Sequence, residues 1–379
     1  MILDGVRVVE LAAWVAGPAA AGVMADWGAD VIKVEPPGGD PQRTIFGALG
    51  GAQQAAVPPF ELDNRGKRSV VLDLRTDDGK AAMDRLLGEA DVFVTNTRVA
   101  ALERLALDPK AVRERHPRLI YGIITGYGLE GPDAHRPGYD VGAFWARSTL
   151  ASSVVPRGAL PPPIRSGFGD HVTGMTLAAG ICGALFDRER TGRGHLVSTS
   201  LLRTGLYCAG WDLGVLLRFG KLESTRARHE SRTPLVNCYA AADGAAFWLL
   251  GLESERHWPP LVAALERPDL AADERFATAP ARLEHCAALV AELDVAFASR
   301  PMATWAERFD AHDVWWAPIN NPRTVFDDPQ VEACGAFVEM SGADGDTWRA
   351  IASPVDFDDL VQRPGPVPRL GQHTSECLD

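Results

Sequence analysis

The first 34 residues write strand, helix, strand in a span that leaves room only for a tight crossover. Residues 6–11 (VRVVEL) form an apolar strand, residues 18–27 a helix with proline in its first turn, and residues 30–34 (DVIKV) a second strand. Two strands joined through a helix pair in parallel, and parallel pairs must be covered on both faces. The pattern continues with strands expected at 69–74, 91–95 (DVFVT) and 119–125 (LIYGIIT), separated by helices near 78–88, 98–106 and 109–116. Such alternation predicts an α/β fold with a doubly wound parallel layer, whose ligands bind outside the carboxyl ends of the strands.

Further along, the punctuation changes. A helix is expected over 175–186, running to about residue 188, and the polar turn 189–194 leads to a strand at 195–199. An apolar helix follows over roughly 200–217. The stretch 219–232 is charged and poor in apolar residues, as expected of a linker between domains. Strands at 235–241 and 245–250 meet through Asp243-Gly244, a hairpin signal, and helices near 254–265, 281–298 and 301–311 complete a smaller α+β unit. Beyond Pro322 a short helix, strands near 335–340 and 347–352 and a proline-rich tail read as a return. The expected domains are therefore 1–218, a linker at 219–232, a small domain at 233–325, and a returning segment at 326–379.

A chain of 379 residues with 46% hydrophobic content can bury a large core. A formal net charge of −12 argues against nucleic acid or an anionic membrane as partner, since either needs a basic face. No apolar run approaches the ~20 residues that span a bilayer, and the N-terminus carries no secretory pattern. Six scattered cysteines without metal spacing read as reduced thiols, so a cytoplasmic location is expected. The nine histidines form no ligand pair, and no metal site is expected.

Candidate chemistry concentrates in a few places. Gly167-Phe168-Gly169-Asp170 sets a carboxylate between a glycine-bearing lead-in and a helix start, where unpaired N–H groups favour negative charge. Asp170 is either an ordinary helix cap or a group that meets an acyl substrate. The loop 12–18 leaves the first strand and enters a helix N-terminus, a place for phosphate or simply a tight turn. It lacks the GxGxxG spacing of a dinucleotide site. Arg43, Arg65, Lys67, Arg68, Arg98 and Arg104 lie in loops that flank strands, as a local anion site or as solvated charges.

These residues occur in an order that resembles the class III CoA-transferases, the group of formyl-CoA transferase, carnitine CoA-transferase and α-methylacyl-CoA racemase. The resemblance spans nearly the whole chain. It runs through Leu3-Asp4-Gly5, Ala16-Gly17-Pro18, Gly28-Ala29-Asp30, Asn64-Arg65-Gly66-Lys67-Arg68-Ser69 and Asn96. It continues through Gly126-Tyr127-Gly128, Gly138-Tyr139-Asp140, Gly169-Asp170 with Gly174-Met175, Arg190-Thr191-Gly192-Arg193-Gly194 and Leu370-Gly371-Gln372-His373-Thr374.

The resemblance implies a Rossmann-like large domain with an inserted smaller α+β domain, and two subunits interlocked as a homodimer. It implies Asp170 as nucleophile, CoA as a cosubstrate with no permanently bound cofactor, and an acyl-CoA and a carboxylic acid as partners. Binding of CoA is carried over to Trp14, Val15, Ala16, Asn96, Arg104 and Tyr139. Arg43 is expected to stand in for a basic residue where this chain has Pro36-Pro37. The glycine-rich flap of formyl-CoA transferase is reduced to Gly251-Leu252-Glu253, which argues against formyl-CoA and oxalate.

Within that resemblance an acyl-CoA racemase is the alternative, since Glu253 stands where racemases carry a glutamate. Racemisation needs two groups flanking the α-carbon, and the racemases' histidine is replaced here by Tyr139. A phenol, with an ordinary pKa of ~10, is a poor base near neutral pH. A CoA-ester-binding protein without catalysis is a further alternative and would leave Asp170 idle. Trp14, Trp145, Trp315 and Trp316 hint at an apolar or ring-bearing acyl group, or are ordinary core.

Overall fold

The computed structural model describes residues 1–51, 56–231, 233–341, 346–358, 362 and 364–378. The chain divides into two compact units, one of Met1–Ser152, Pro161–Leu222 and Cys334–Asp379, the other of Ser153–Leu160 and Glu223–Ala333. Arg232, the end of the expected linker, lies outside the described residues.

The larger unit is built on six strands, β1 (Arg7–Leu11), β2 (Asp30–Glu35), β3 (Arg68–Val71), β4 (Val92–Thr95), β5 (Ile120–Thr125) and β6 (Leu196–Ser200). Every pairing is parallel, in the order β3-β2-β1-β4-β5-β6. That order reverses direction between β1 and β4, and in open α/β sheets the crevice at such a switch point is where ligands bind. One face is covered by α1 (Ala16–Asp26) and by a long helix at Phe168–Thr191; here Val8, Val31, Val92 and Ile120 of the sheet pack on Ala20, Met24, Leu177 and Ile181. After α2 (Pro58–Asn64), the other face is covered by α3 (Asp77–Gly88), α4 (Val99–Arg104) and α5 (Pro109–Arg115), through Met83, Leu86, Leu102 and Val112. Strands buried on both faces read as near-continuous apolar runs, which is why they were recognisable in sequence.

The long helix, α6 (Phe168–Thr191), starts seven residues ahead of the expected position. Its first turn, Phe168-Gly169-Asp170, is poor in helix formers, so propensity hides a start that Gly167 fixes with a left-handed φ of 84°. The expected single helix over 200–217 is two, α7 (Leu201–Cys208) and α8 (Gly210–Phe219), parted at Ala209.

The smaller unit has a three-stranded antiparallel sheet of β7 (Cys238–Ala240), β8 (Ala246–Leu249) and β9 (Trp316–Pro318). The first two form the expected hairpin. β9 was not expected, because three residues ending in proline carry almost no strand signal, and proline confines it to an edge. Helices α9 (Ser254–Leu265), α10 (Cys286–Phe297) and α11 (Met302–Ala311) pack on this sheet around Phe247, Phe297, Trp305 and Phe309. The chain then returns to the larger unit with the antiparallel pair β10 (Phe337–Ser341) and β11 (Thr347–Ile351), and ends in α12 (Thr374–Leu378). There His373 Nδ1 accepts from the Ser69 amide and Thr374 Oγ1 from the Val71 amide, which fastens the tail to β3. Among the described residues, no helix is long and apolar enough to cross a membrane.

Candidate active site

The loops that follow β1 and β4 flank the switch point, and one side chain ties them together. Asn96 Oδ1 accepts from the Ala13 amide at 3.0 Å, and Asn96 Nδ2 donates to the Ala13 carbonyl at 2.7 Å. The next residue, Trp14, holds a positive φ of 65°, and its amide donates to Asp40 Oδ1 at 3.1 Å. A tryptophan in that region of conformational space is strained and persists only when its surroundings hold it. Val15 precedes α1 and makes no side-chain cap, so the N–H groups at the start of α1, including that of Ala16, receive no side-chain cap from it.

Beneath this loop lies a fully buried charge network. Glu10 on β1 accepts from Lys33 at 2.7 Å and from Lys67 at 2.6 Å; Lys33 also pairs with Asp40 at 2.9 Å. The two ammonium groups hold the main chain as well: Lys33 Nζ donates to the Ala12 carbonyl at 3.2 Å and Lys67 Nζ to that of Pro18 at 2.9 Å. Burial alone would raise the Glu10 carboxyl, but the two neighbouring cations hold it below the usual carboxylate range. Both ends of the loop 12–18 are therefore clamped from below.

α6 meets this loop side-on. A Cβ at Gly174 would come within 2.9 Å of the Ala16 carbonyl oxygen and 3.0 Å of Ala19 Cβ, so glycine is what lets α6 lie against the start of α1. Gly169 is tighter still: its absent Cβ would stand 2.5 Å from the Phe144 ring. Phe144 belongs to a single π-helical turn, Val141–Ala146. The amide of Gly167 donates to Asp140 Oδ2 at 2.9 Å, fixing the lead-in.

Asp170 is the third residue of α6, not its cap: the position before the helix is Gly167. The capping role is thereby excluded. Its carboxyl is pushed up to about 7, first by burial, then by the Asp140 carboxylate and more weakly by Asp63, with the adjacent His171 opposing. A carboxylate raised in this way, in the first turn of a helix among N–H groups that have no intrahelical acceptor, has the chemistry to serve as nucleophile or general base. His171 Nε2 lies 3.0 Å from Asp63 Oδ1, and Asp63 Oδ2 accepts from Gln42 at 3.3 Å.

The basic residues fare differently from one another. Arg43 is held by Glu35 at 2.8 Å and 2.7 Å and donates to the Pro368 carbonyl, with its guanidinium over the Phe60 ring. Arg65 pairs twice with Asp26, Arg68 twice with Asp30, and Lys67 with Glu10. Of the two readings left open for these cations, a local anion site or solvated charges, neither describes this set in full: each is matched by a carboxylate of the fold. Arg98 and Arg104, at the two ends of α4 after the switch-point strand, are exposed. Tyr139 is exposed too, one residue before Asp140. In the smaller unit, Glu253 pairs with Arg256 at 3.2 Å.

The residues 3–374 match the family model described as CoA-transferase family III. The chain belongs to that family. It is 32% identical over 380 residues to the (R)-2-hydroxy-4-methylpentanoate CoA-transferase of Clostridioides difficile, across 100% of this chain and 95% of that protein. The cinnamoyl-CoA:phenyllactate CoA-transferase of Clostridium sporogenes is 31% identical over 389 residues, covering 100% of this chain and 92% of that one. Among solved structures, a CAIB/BAIF family protein from Brucella suis superposes with a TM-score of 0.84 at 32% identity, over 99% of this chain and 97% of that one. The chain is thus an enzyme that transfers CoA, and CoA thioesters are its cosubstrates.

Four groups had no role in the sequence reading: Glu10 and Lys33 beneath the loop 12–18, and Asp63 and the Asp140 side chain, whose charges act on Asp170. For Glu10 and Lys33 a signal was present. Each is a charged residue in the middle of an apolar strand, and such a residue buries only when paired. Asp63 and Asp140 carry no comparable mark.

Proposed function

We propose that this CoA-transferase moves CoA between an acyl-CoA donor and a carboxylate acceptor, with Asp170 as covalent nucleophile. The half-buried Asp170 carboxyl in the first turn of α6, raised to about 7, is the observation that carries the reading. An Asp170 oxygen attacks the thioester carbonyl; the C–S bond breaks and CoA leaves as thiolate, giving a mixed anhydride. The thiolate attacks the Asp170 carbonyl, the anhydride C–O bond breaks, and the donor acid departs from an aspartyl-CoA thioester. An acceptor carboxylate attacks that thioester, and the two steps run in reverse. No proton is consumed, and the thioester's energy is conserved so long as water is kept out. The N–H groups of Gly169 and Asp170, in the first turn of α6, are the donors assigned to the tetrahedral oxyanions.

CoA is assigned to the loop Trp14-Val15-Ala16, to Asn96 as its brace, and to Arg104 and Tyr139, which are exposed beside the switch-point and β5 loops. Arg43 acts from behind, by holding Glu35 at the end of β2. A homodimer fits the surface of α7 and α8: α8 has no buried residue, and Tyr207, Trp211, Leu217 and Phe219 are exposed along the pair. Large apolar side chains exposed along one helix pair are characteristic of an interface.

The test is an assay of CoA transfer from a panel of aliphatic and aromatic acyl-CoA esters to free acids in heavy water. Transfer without deuterium at the α-carbon is expected. Exchange at the α-carbon of a branched ester without transfer would establish the racemase instead.

A further inference from the structure

Next to the nucleophile stands a side-chain pair that the transfer chemistry leaves unused. His171 follows Asp170 on α6, its Nε2 3.0 Å from Asp63 Oδ1, with Asp63 3% exposed on α2 and its other oxygen on Gln42. The imidazole lies on the left-handed Gly167: a Cβ there would come 3.3 Å from both Nδ1 and Cε1. Since the Gly167 amide is itself held by Asp140, Asp63 and Asp140 grip the helix start from two sides, one through His171 and one through the main chain. We propose that His171, seated on Asp63, is a positioning residue: it braces the helix start that carries Asp170 and holds a titratable imidazole next to that carboxylate in the chain. The proposal rests on Asp170 being the nucleophile.

The charges in this neighbourhood are few. Asp63 comes from α2 and Asp140 from ahead of the π-helical turn; Lys67, beyond Asp63, feels its charge. α1, packed on α6, has no acidic residue in its first turn and no basic one in its last. Three carboxylates thus crowd the helix start, and His171 is the group that opposes two of them. Burial would lower the imidazole, yet the hydrogen bond and charge of Asp63 raise it, and so do the Gly167 backbone and Asp170. A histidine raised in this way keeps its proton to higher pH than a free imidazole, into the range where the nucleophile must ionise.

The pH profile of kcat/KM reports the free enzyme's essential groups. In the wild-type enzyme the acid limb falls near pH 7. In His171→Gln it moves up by about one pH unit, roughly a tenfold loss at pH 6.5, with activity recovered at pH 9. His171→Lys, which keeps a cation, leaves the limb near its wild-type place. In Asp63→Asn, the His171 ring-proton titration followed by NMR shifts to lower pH. An unmoved limb in His171→Gln, or an equal loss at every pH, overturns the proposal. Hydroxylamine added with acyl-CoA separates the two layers: a wild-type hydroxamate on Asp170 with an unmoved limb sinks this proposal alone. Absence of the hydroxamate in wild type removes the nucleophile, and the proposal with it.

Discussion

Asp170 combines two demands that oppose each other. As the proposed nucleophile it must ionise to attack, but its surroundings favour the neutral form, raising it from an ordinary 3.8 to about 7. The folded protein therefore holds this proton more tightly than the unfolded chain does. Stability from that preference is present below about pH 4 and is lost as the pH rises through about 7. Asp170→Asn removes the cost of a half-buried negative charge, so it is expected to stabilise the fold at pH 8 by about 1–3 kcal/mol, with the gain vanishing near pH 4. Thermal unfolding of both proteins across that range checks it, and a variant less stable at pH 8 would contradict it. The same variant is expected to show no CoA transfer, a trade of stability for function common at active sites.

At the scale of elements, the site depends on two helices that touch through glycine. Gly174→Val places branched carbon against the Ala16 carbonyl and Ala19. The expected result is a loss of about 1–3 kcal/mol, with a raised KM for the CoA ester as α6 and the loop before α1 move apart. Unchanged stability and KM would show that the contact does not set the loop. The motif around Gly169 and Gly174 was legible as a helix start near a ligand, but its physical reason was not: close approach is a property of two elements, and Phe144 and Ala16 lie 25 and 158 positions from the glycines they meet. Charged residues told the opposite story. For Arg43, Arg65 and Arg68 the choice between an anion site and solvated charges stayed open, because their partners, Glu35, Asp26 and Asp30, lie 8 to 39 positions away and sequence spacing does not reveal the pairing.

Across the whole molecule, the parallel sheet was readable because its strands are buried on both faces and alternate with helices. The edge strand β9 and the division of the apolar helix into α7 and α8 were not, since neither carries a local signal strong enough to mark it. The large unit's centre is nonetheless charged. Lys67→Met leaves Glu10 with one of its two cations and frees the Pro18 carbonyl. A loss of about 3–5 kcal/mol is expected, together with weakened CoA binding, measurable by denaturant unfolding and calorimetry. A loss below about 1 kcal/mol would show that Lys33 alone satisfies the network. Trp211→Glu combined with Leu217→Glu tests the apolar helix surface: sedimentation is expected to show a dimer for wild type and a smaller species for the variant. A wild-type monomer would leave that surface to another partner.

The most direct measurement is peptide mass spectrometry of the enzyme incubated with an acyl-CoA ester and hydroxylamine, without acceptor acid. A hydroxamate on the peptide carrying Asp170, absent in Asp170→Asn, is expected. CoA transfer that proceeds while Asp170 stays unmodified, or that survives in Asp170→Asn, would contradict covalent catalysis at this residue.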